Sequence, residues 1–200
     1  MGQEGTPMMK WITAWFAVAF LLMAPHGSGA QALDAQGWFV EGNRLLAEGQ
    51  LDKAAEAYQN SIEQNPASPV AYFNLGLVYK KLGRKESAAK AFEKTLELEP
   101  SNLDARISLG NVYNLMERWE DAIGQLNIVI HRRQNDAEAH GNLGWAYYNF
   151  HSGPPFKLLV IANLRKAVEL FESQGQMEAA EATRGVLNEA EQKFGVEPAG

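Results

Sequence analysis

The chain has 200 residues and a formal net charge of −6, from 18 Lys and Arg against 24 Asp and Glu. That acidity argues against a nucleic-acid binder, which needs a basic patch to displace the counterions around phosphates, and 46% apolar with 21% charged residues matches neither a disordered polyampholyte nor a membrane bundle. Cysteine is absent, which excludes disulfides, thiolate zinc sites, a cysteine nucleophile and a lipidated cysteine at a processed N-terminus.

The first element is residues 11–24, WITAWFAVAFLLMA, a run without charge that follows Lys10 and stops at Pro25. A membrane span needs about 20 apolar residues, whereas the apolar core of a secretory signal takes about 7–15 and follows a basic start. The small residues Ser28, Gly29 and Ala30 permit cleavage after Ala30, and Ala30, Gln31 and Ala32 permit it after Ala32. Residues 1–32 are therefore expected to be a signal peptide, with a membrane anchor through 11–24 as the alternative. Glu4 cancels Lys10, so a start at Met8 or Met9 gives the cleaner basic end. Cleavage removes one base and one acid and leaves the charge at −6.

Downstream the sequence repeats. Gly42, Gly76, Gly110 and Gly144 are 34 residues apart, and the same step relates Leu45, Tyr79, Tyr113 and Tyr147. It also relates Ala54, Ala88 and Ala122, as well as Tyr58, Phe92 and Leu126. Pro66 and Pro100 close the first two units, and the aromatic that opens them, Trp38 and Tyr72, becomes Arg106 and then His140. Within a unit, apolar residues recur every three or four positions, which predicts helices over 70–81 and 86–98 joined by a turn at Leu82, Gly83 and Arg84. Ser68 before Pro69 reads as an N-cap and first helical residue, and Asn102 and Asp136 can cap the next two units. A hairpin of this kind cannot bury its apolar face alone, so stacked neighbours must supply the core.

Departures carry information too. Glu41 stands where later units have leucine, in a unit with no earlier repeat to cover it. The fourth unit gains about four residues in its turn, at 151–156, and resumes as a helix over 158–171 without a closing proline. Residues 176–194 place Ala179, Ala182, Val186, Leu187, Ala190 and Phe194 on one helical face, which predicts a capping helix before a flexible tail at 195–200. The array is expected as units 35–68, 69–102, 103–136 and 137–174, followed by the cap at 175–194.

Catalytic and metal-binding patterns are lacking. His131, His140 and His151 are spaced by nine and eleven, not by the four that places two ligands on one helix face. No phosphate-binding glycine loop or nucleophile elbow occurs. The expectation is no enzyme, no cofactor and no metal, with His140 a packed imidazole.

The glycine, leucine, tyrosine, alanine, aromatic and proline register resembles the tetratricopeptide repeat family over residues 35 to 174. The resemblance implies an all-α, right-handed superhelix of about four helix pairs, with the first helix of each pair facing a concave groove. It also implies the groove residues: Phe39 and Asn43; Phe73, Asn74 and Leu77; Ile107 and Asn111; Asn142, Trp145 and Tyr148. Amides at Asn43 with Asn74, and at Asn111 with Asn142, could hold the backbone of an extended peptide, or could be structural asparagines common at those positions. Family members that grip chaperone C-termini combine such asparagines with Lys and Arg. Here Phe39, Asp104 and Ser108 stand where those cations would be needed, and Asp104 and Glu138 would repel an anionic end. Gly141, one turn before Trp145, is expected to leave a notch beside the indole. The expected function is a non-catalytic scaffold or assembly factor, exported to the periplasm or envelope, that binds a protein or peptide segment which is extended, neutral or basic, and partly apolar. Alternatives are an anchored, chaperone-like helper for a membrane complex, such as a photosynthetic or secretion complex, and self-association of the repeats.

Overall fold

The computed structural model describes residues 33–150 and 156–196. The expected signal segment, most of the stretched turn at 151–156 and the last four residues of the tail lie outside the described residues. Within the unit Asp34–Gly200 the described residues form nine helices and no strand: α1 (Ala35–Ala47), α2 (Leu51–Gln64), α3 (Pro69–Lys81), α4 (Lys85–Leu98), α5 (Leu103–Leu115), α6 (Trp119–Arg132), α7 (Ala137–Asn149), α8 (Lys157–Ser173) and α9 (Met177–Phe194). Each packs on the next in chain order.

Local chemistry sets the helix ends, and it repeats. Asp34, Ser68, Asn102 and Asp136 each accept a hydrogen bond from the backbone N–H three residues on, satisfying a donor that the first turn leaves orphaned. Asp34 extends the series of caps to the first unit. At the turn inside each pair, Gly49 and Gly83 adopt φ of 73° and 71°. There the N–H groups of Gln50 and Arg84 reach back to the carbonyls of Leu45 and Tyr79 at 2.9 Å and close the helix. Glu117 occupies the same place in the third pair at φ 58°, a conformation that disfavours a side chain. The closing prolines are not what alone stops the second helices. Before Pro66 and Pro100 the caps Asn65 and Glu99 have φ of −135° and −136°, and Arg133, which Gln134 follows, takes −121° and stops α6 at the same length of 14 residues.

Packing within a pair depends on the repeated glycine. A Cβ on Gly42, Gly76 or Gly110 would lie 2.6 to 2.7 Å from Tyr58, Phe92 or Leu126, each sixteen residues on. The bare backbone thus admits a large side chain from the second helix, and those side chains are wholly buried. In the fourth pair the partner of Gly144 is Leu164, twenty residues on and 2.8 Å away. The added four residues therefore shift α8 by one helical turn and keep the contact. α8 lacks a closing proline and runs to 17 residues; Gly175, at φ 73°, and the Gln176 N–H bond to the Phe171 carbonyl at 2.8 Å close it as Gly49 and Gly83 close α1 and α3.

Between pairs the tyrosines of the repeat bridge helices. Gln59 donates to the Tyr79 hydroxyl at 2.7 Å, the Tyr113 hydroxyl donates to Glu93 at 2.7 Å, and Asn127 donates to the Tyr147 hydroxyl at 3.2 Å. Burial and the adjoining Glu93 carboxylate push the Tyr113 phenol well above its ordinary range, so it stays a donor. Two differences from expectation concern the C-terminus. The buried stripe of α9 is Ala180, Leu187, Ala190 and Glu191, whereas Ala182 is exposed and Ala179, Val186 and Phe194 are half-buried. The tail also starts later than residue 195: Gly195 closes α9 at φ 63°, and the Val196 N–H bonds the Glu191 carbonyl at 3.0 Å.

Candidate functional site: the face of the first helices

First helices of successive pairs touch one another, α3 with α5 and α5 with α7, and α9 reaches α7 in the same way, while the second helices make no comparable contact. The array therefore closes up along its first helices, and these form the inner face. Three positions at the 34-residue step line it. One row is Phe39, Phe73, Ile107 and Gly141; the next is Val40, Asn74, Ser108 and Asn142; the third is Asn43, Leu77, Asn111 and Trp145.

The aromatic row is anchored from below. The Phe39 ring lies 5.8 Å from Tyr58 and the Phe73 ring 5.7 Å from Phe92, at tilts of 55° and 56°. Both phenylalanines remain half-exposed, as does Leu77. Ile107, in the same row, is buried by the neighbouring pairs, so it shapes the wall without offering a surface. Trp145 is 38% exposed, the most open aromatic side chain of the row-ends.

The asparagines hold one another. Asn74 donates to the Asn43 side-chain oxygen at 3.1 Å, and that oxygen also accepts from the Tyr58 hydroxyl at 2.7 Å. Asn111 donates to the Asn142 side-chain oxygen at 3.3 Å, and Asn114 donates to the Asn142 backbone oxygen at 2.9 Å. These bridges tie unit one to two and three to four, so the four amides are structural links first. The second bridge leaves two buried polar atoms over. The Asn142 amide nitrogen is buried without a hydrogen-bond partner, as is the Asn114 side-chain oxygen.

Tyr148 is placed differently from the groove role expected of it. It is buried, its hydroxyl donates to Glu189 at 2.7 Å, and its ring meets Phe194 at 6.1 Å with the Lys193 ammonium 4.2 Å above it. It docks α9. His140 is half-buried, with its ring nitrogens 2.8 Å from the Asn163 side-chain oxygen and 2.9 Å from the Gln134 carbonyl. Arg106, one unit earlier, reaches the equivalent Pro100 carbonyl at 3.0 Å and Gln125 at 2.8 Å. Polar residues thus fill the aromatic position by bonding across the pair. Asp104, expected to repel anions, pairs with Arg133 at 2.5 Å. Among the described residues no group of three or more His, Asp and Glu is placed to hold a metal ion.

The notch at Gly141 exists. A cavity of about 240 Å³ opens where α7, α8 and α9 meet, lined by Gly141 and Trp145 of α7, Phe171 of α8 and Val186 of α9. A Cβ on Gly141 would find only ordinary contacts, 3.7 Å to Ala167 and 3.8 Å to Phe171. The α9 wall, Ala182, Thr183 and Val186, is what sequence reasoning missed as part of the site; its trace in the sequence is Ala182 and Val186, four residues apart on an apolar stripe.

Family models give the same account of the repeats. A TPR repeat model matches residues 42–83, and tetratricopeptide repeat models match 69–102 and 86–144, together covering more than half of the chain. The chain belongs to the tetratricopeptide repeat family. Among curated proteins this tetratricopeptide chain is 46% identical over 39 residues to the photosystem I assembly protein Ycf3 of Prochlorococcus marinus, a match covering 20% of this chain and 22% of that one. The match therefore spans about a fifth of that relative's length. Among solved structures it is similar to MamA (41-end) from Desulfovibrio magneticus RS-1, at a TM-score of 0.64 and 21% identity over 80% of this chain and 96% of that one. It is also similar to the first TPR of Spaghetti (RPAP3) bound to HSP90 peptide SRMEEVD, at a TM-score of 0.56 and 22% identity over 59% of this chain and 94% of that one. These likenesses establish an all-α tetratricopeptide superhelix.

Proposed function

We propose that the protein is a non-catalytic adaptor or assembly factor of the cell envelope that holds an extended segment of a partner protein along the inner face of its first helices. One observation carries this reading: Phe39, Phe73, Leu77 and Trp145 stay partly exposed in two rows beside amides, on a face already braced from below. Pre-organised aromatic anchors flanked by hydrogen-bonding groups recognise partners at low entropic cost. The RPAP3 repeat in complex with a peptide supports a peptide-sized ligand for this fold. The name of the Ycf3 relative, an assembly protein, supports work on a multi-subunit complex and favours a helper of a membrane complex as the second reading.

The apolar run at 11–24 supports export, and the mass of the mature N-terminus separates cleavage after Ala30 or Ala32 from retention as an anchor. Crosslinked pull-down from the envelope tests the groove. F73A/W145A should lose the crosslinked species that the wild type retains, with helix content unchanged, while I128A on the opposite helix layer should keep it. Equal capture by F73A/W145A and wild type would overturn the reading.

A further inference from the structure

The last unit departs from the others where α9 closes the inner face, and its chemistry is selective. Its Gly141 stands in the row of Phe39, Phe73 and Ile107, so the apolar wall withdraws. The cavity left there has a floor and side of Phe171, Leu164 and Val186, with the Trp145 indole at its edge. At about 240 Å³ it is smaller than the pockets of about 300 Å³ and more that take drug-sized ligands, yet it has room for one long side chain. It adjoins a second, more polar cavity of about 490 Å³ bounded by Asn135, Asp136, Gln174 and Gln176, and Glu138 and Phe171 line both.

Glu138 is exposed, and cations of the neighbouring elements pair with other groups. Arg184 pairs with Glu172, Lys166 lies 3.8 Å from Glu169, Arg165 bonds Glu191 at 2.6 Å, and Arg133 lies 3.7 Å from Asp136 and 2.5 Å from Asp104. Lys193 sits over Tyr148. No Lys or Arg lies on α7 itself. The carboxylate and the Trp145 indole, two helical turns apart on α7, bracket an apolar slot. A cation on an aliphatic stem suits it, because the stem covers apolar surface while the head meets a negative charge.

We infer that this slot is a specificity subsite for an arginine or lysine side chain of the bound segment. The stem lies on Phe171 and Val186, and the head pairs with Glu138. The inference rests on the groove reading above and deepens it, from an extended segment to one with a basic residue at its α7–α9 end. An acidic residue there would meet Glu138 and be repelled.

The test uses the full chain and a positional library of acetylated, amidated hexapeptides in an Ala/Ser background, with each position in turn held as Arg, Lys, norleucine or Glu. One position should show Arg and Lys retained about tenfold over norleucine, about the worth of one favourable contact, and Glu retained least. E138Q should bring the Arg-to-norleucine ratio to about one, E138K should turn the preference towards Glu, and G141L should remove it by filling the slot, each with unchanged circular dichroism. Equal retention of Arg and norleucine peptides by the wild type, or a ratio untouched by E138Q, would overturn the subsite while leaving the groove in place. Retention of no peptide at all would overturn the groove reading together with it.

Discussion

At the scale of single residues, glycine does two separate jobs in this chain, and substitutions tell them apart. Gly76 is a packing residue: an added Cβ would sit 2.6 Å from the Phe92 ring, which is wholly buried and has nowhere to move. G76A should therefore destabilise the fold by about 1–3 kcal/mol through overpacking. Gly124 lies in the middle of α6 with nothing near its absent side chain, so G124A should stabilise by about 0.5–1 kcal/mol through helix propensity alone. Urea unfolding of both variants reads the opposite signs. Turn glycines work through backbone conformation instead. Glu117 occupies their left-handed position at φ 58°, and E117G should raise stability by about 1 kcal/mol, seen as a higher midpoint on thermal unfolding. The 34-residue comparison with Gly49 and Gly83 makes that position readable without a structure. The partner of each packing glycine was equally readable, except in the fourth pair, where the four added residues move it to Leu164.

At the scale of elements, α9 is more than a lid over the last repeat. It docks through Leu187 and Ala190, through the Tyr148–Glu189 hydrogen bond and through the Arg165–Glu191 pair, whose carboxylate is buried. L187A should cost about 2–4 kcal/mol, as buried leucine truncations do. Because each helix pair leans on its neighbours, the whole array should melt at the lower temperature, without a separate early transition for α9. A resolved first transition in calorimetry would show α9 to be an independent unit. Helix existence and boundaries followed from caps and period: α3 and α4 run over 69–81 and 85–98, within a residue of the spans that periodicity predicts. The facing of α9 did not follow, because its alanines and valine satisfy two neighbouring stripes equally well. Only contact with α7 and α8 decides which stripe is buried.

At the scale of the whole molecule, the inner face is a sum of contributions from four first helices and α9. Its function is predicted to fail when two of its anchors are removed together. F73A/W145A removes one aromatic anchor near the middle and one beside the terminal cavity, and loss of the crosslinked partner with helicity retained is the expected outcome. The candidate residues were only partly legible in advance. Phe39, Phe73, Leu77 and Trp145 keep open surface, but Ile107 and Tyr148 are buried, and Asn43, Asn74, Asn111 and Asn142 are joined across units. Register places a side chain on a face of its helix. Whether the next pair then covers it depends on the separation and tilt between units, which a one-dimensional pattern does not encode.

The sequence by itself determined the helix pairs, their caps, the turn geometry and the glycine contacts within the first three pairs. All of these are interactions at fixed short spacings, and a period of 34 residues repeats them until chance is no explanation. It also determined the acidity that now has a specific expression in Glu138. Tertiary structure decided which inner-face side chains are reachable, that the asparagines bridge neighbouring units, and that α9 turns a missing side chain at Gly141 into a walled cavity. Those outcomes depend on surfaces brought together from helices far apart in the chain, where small differences in stacking choose between a buried contact and an open one.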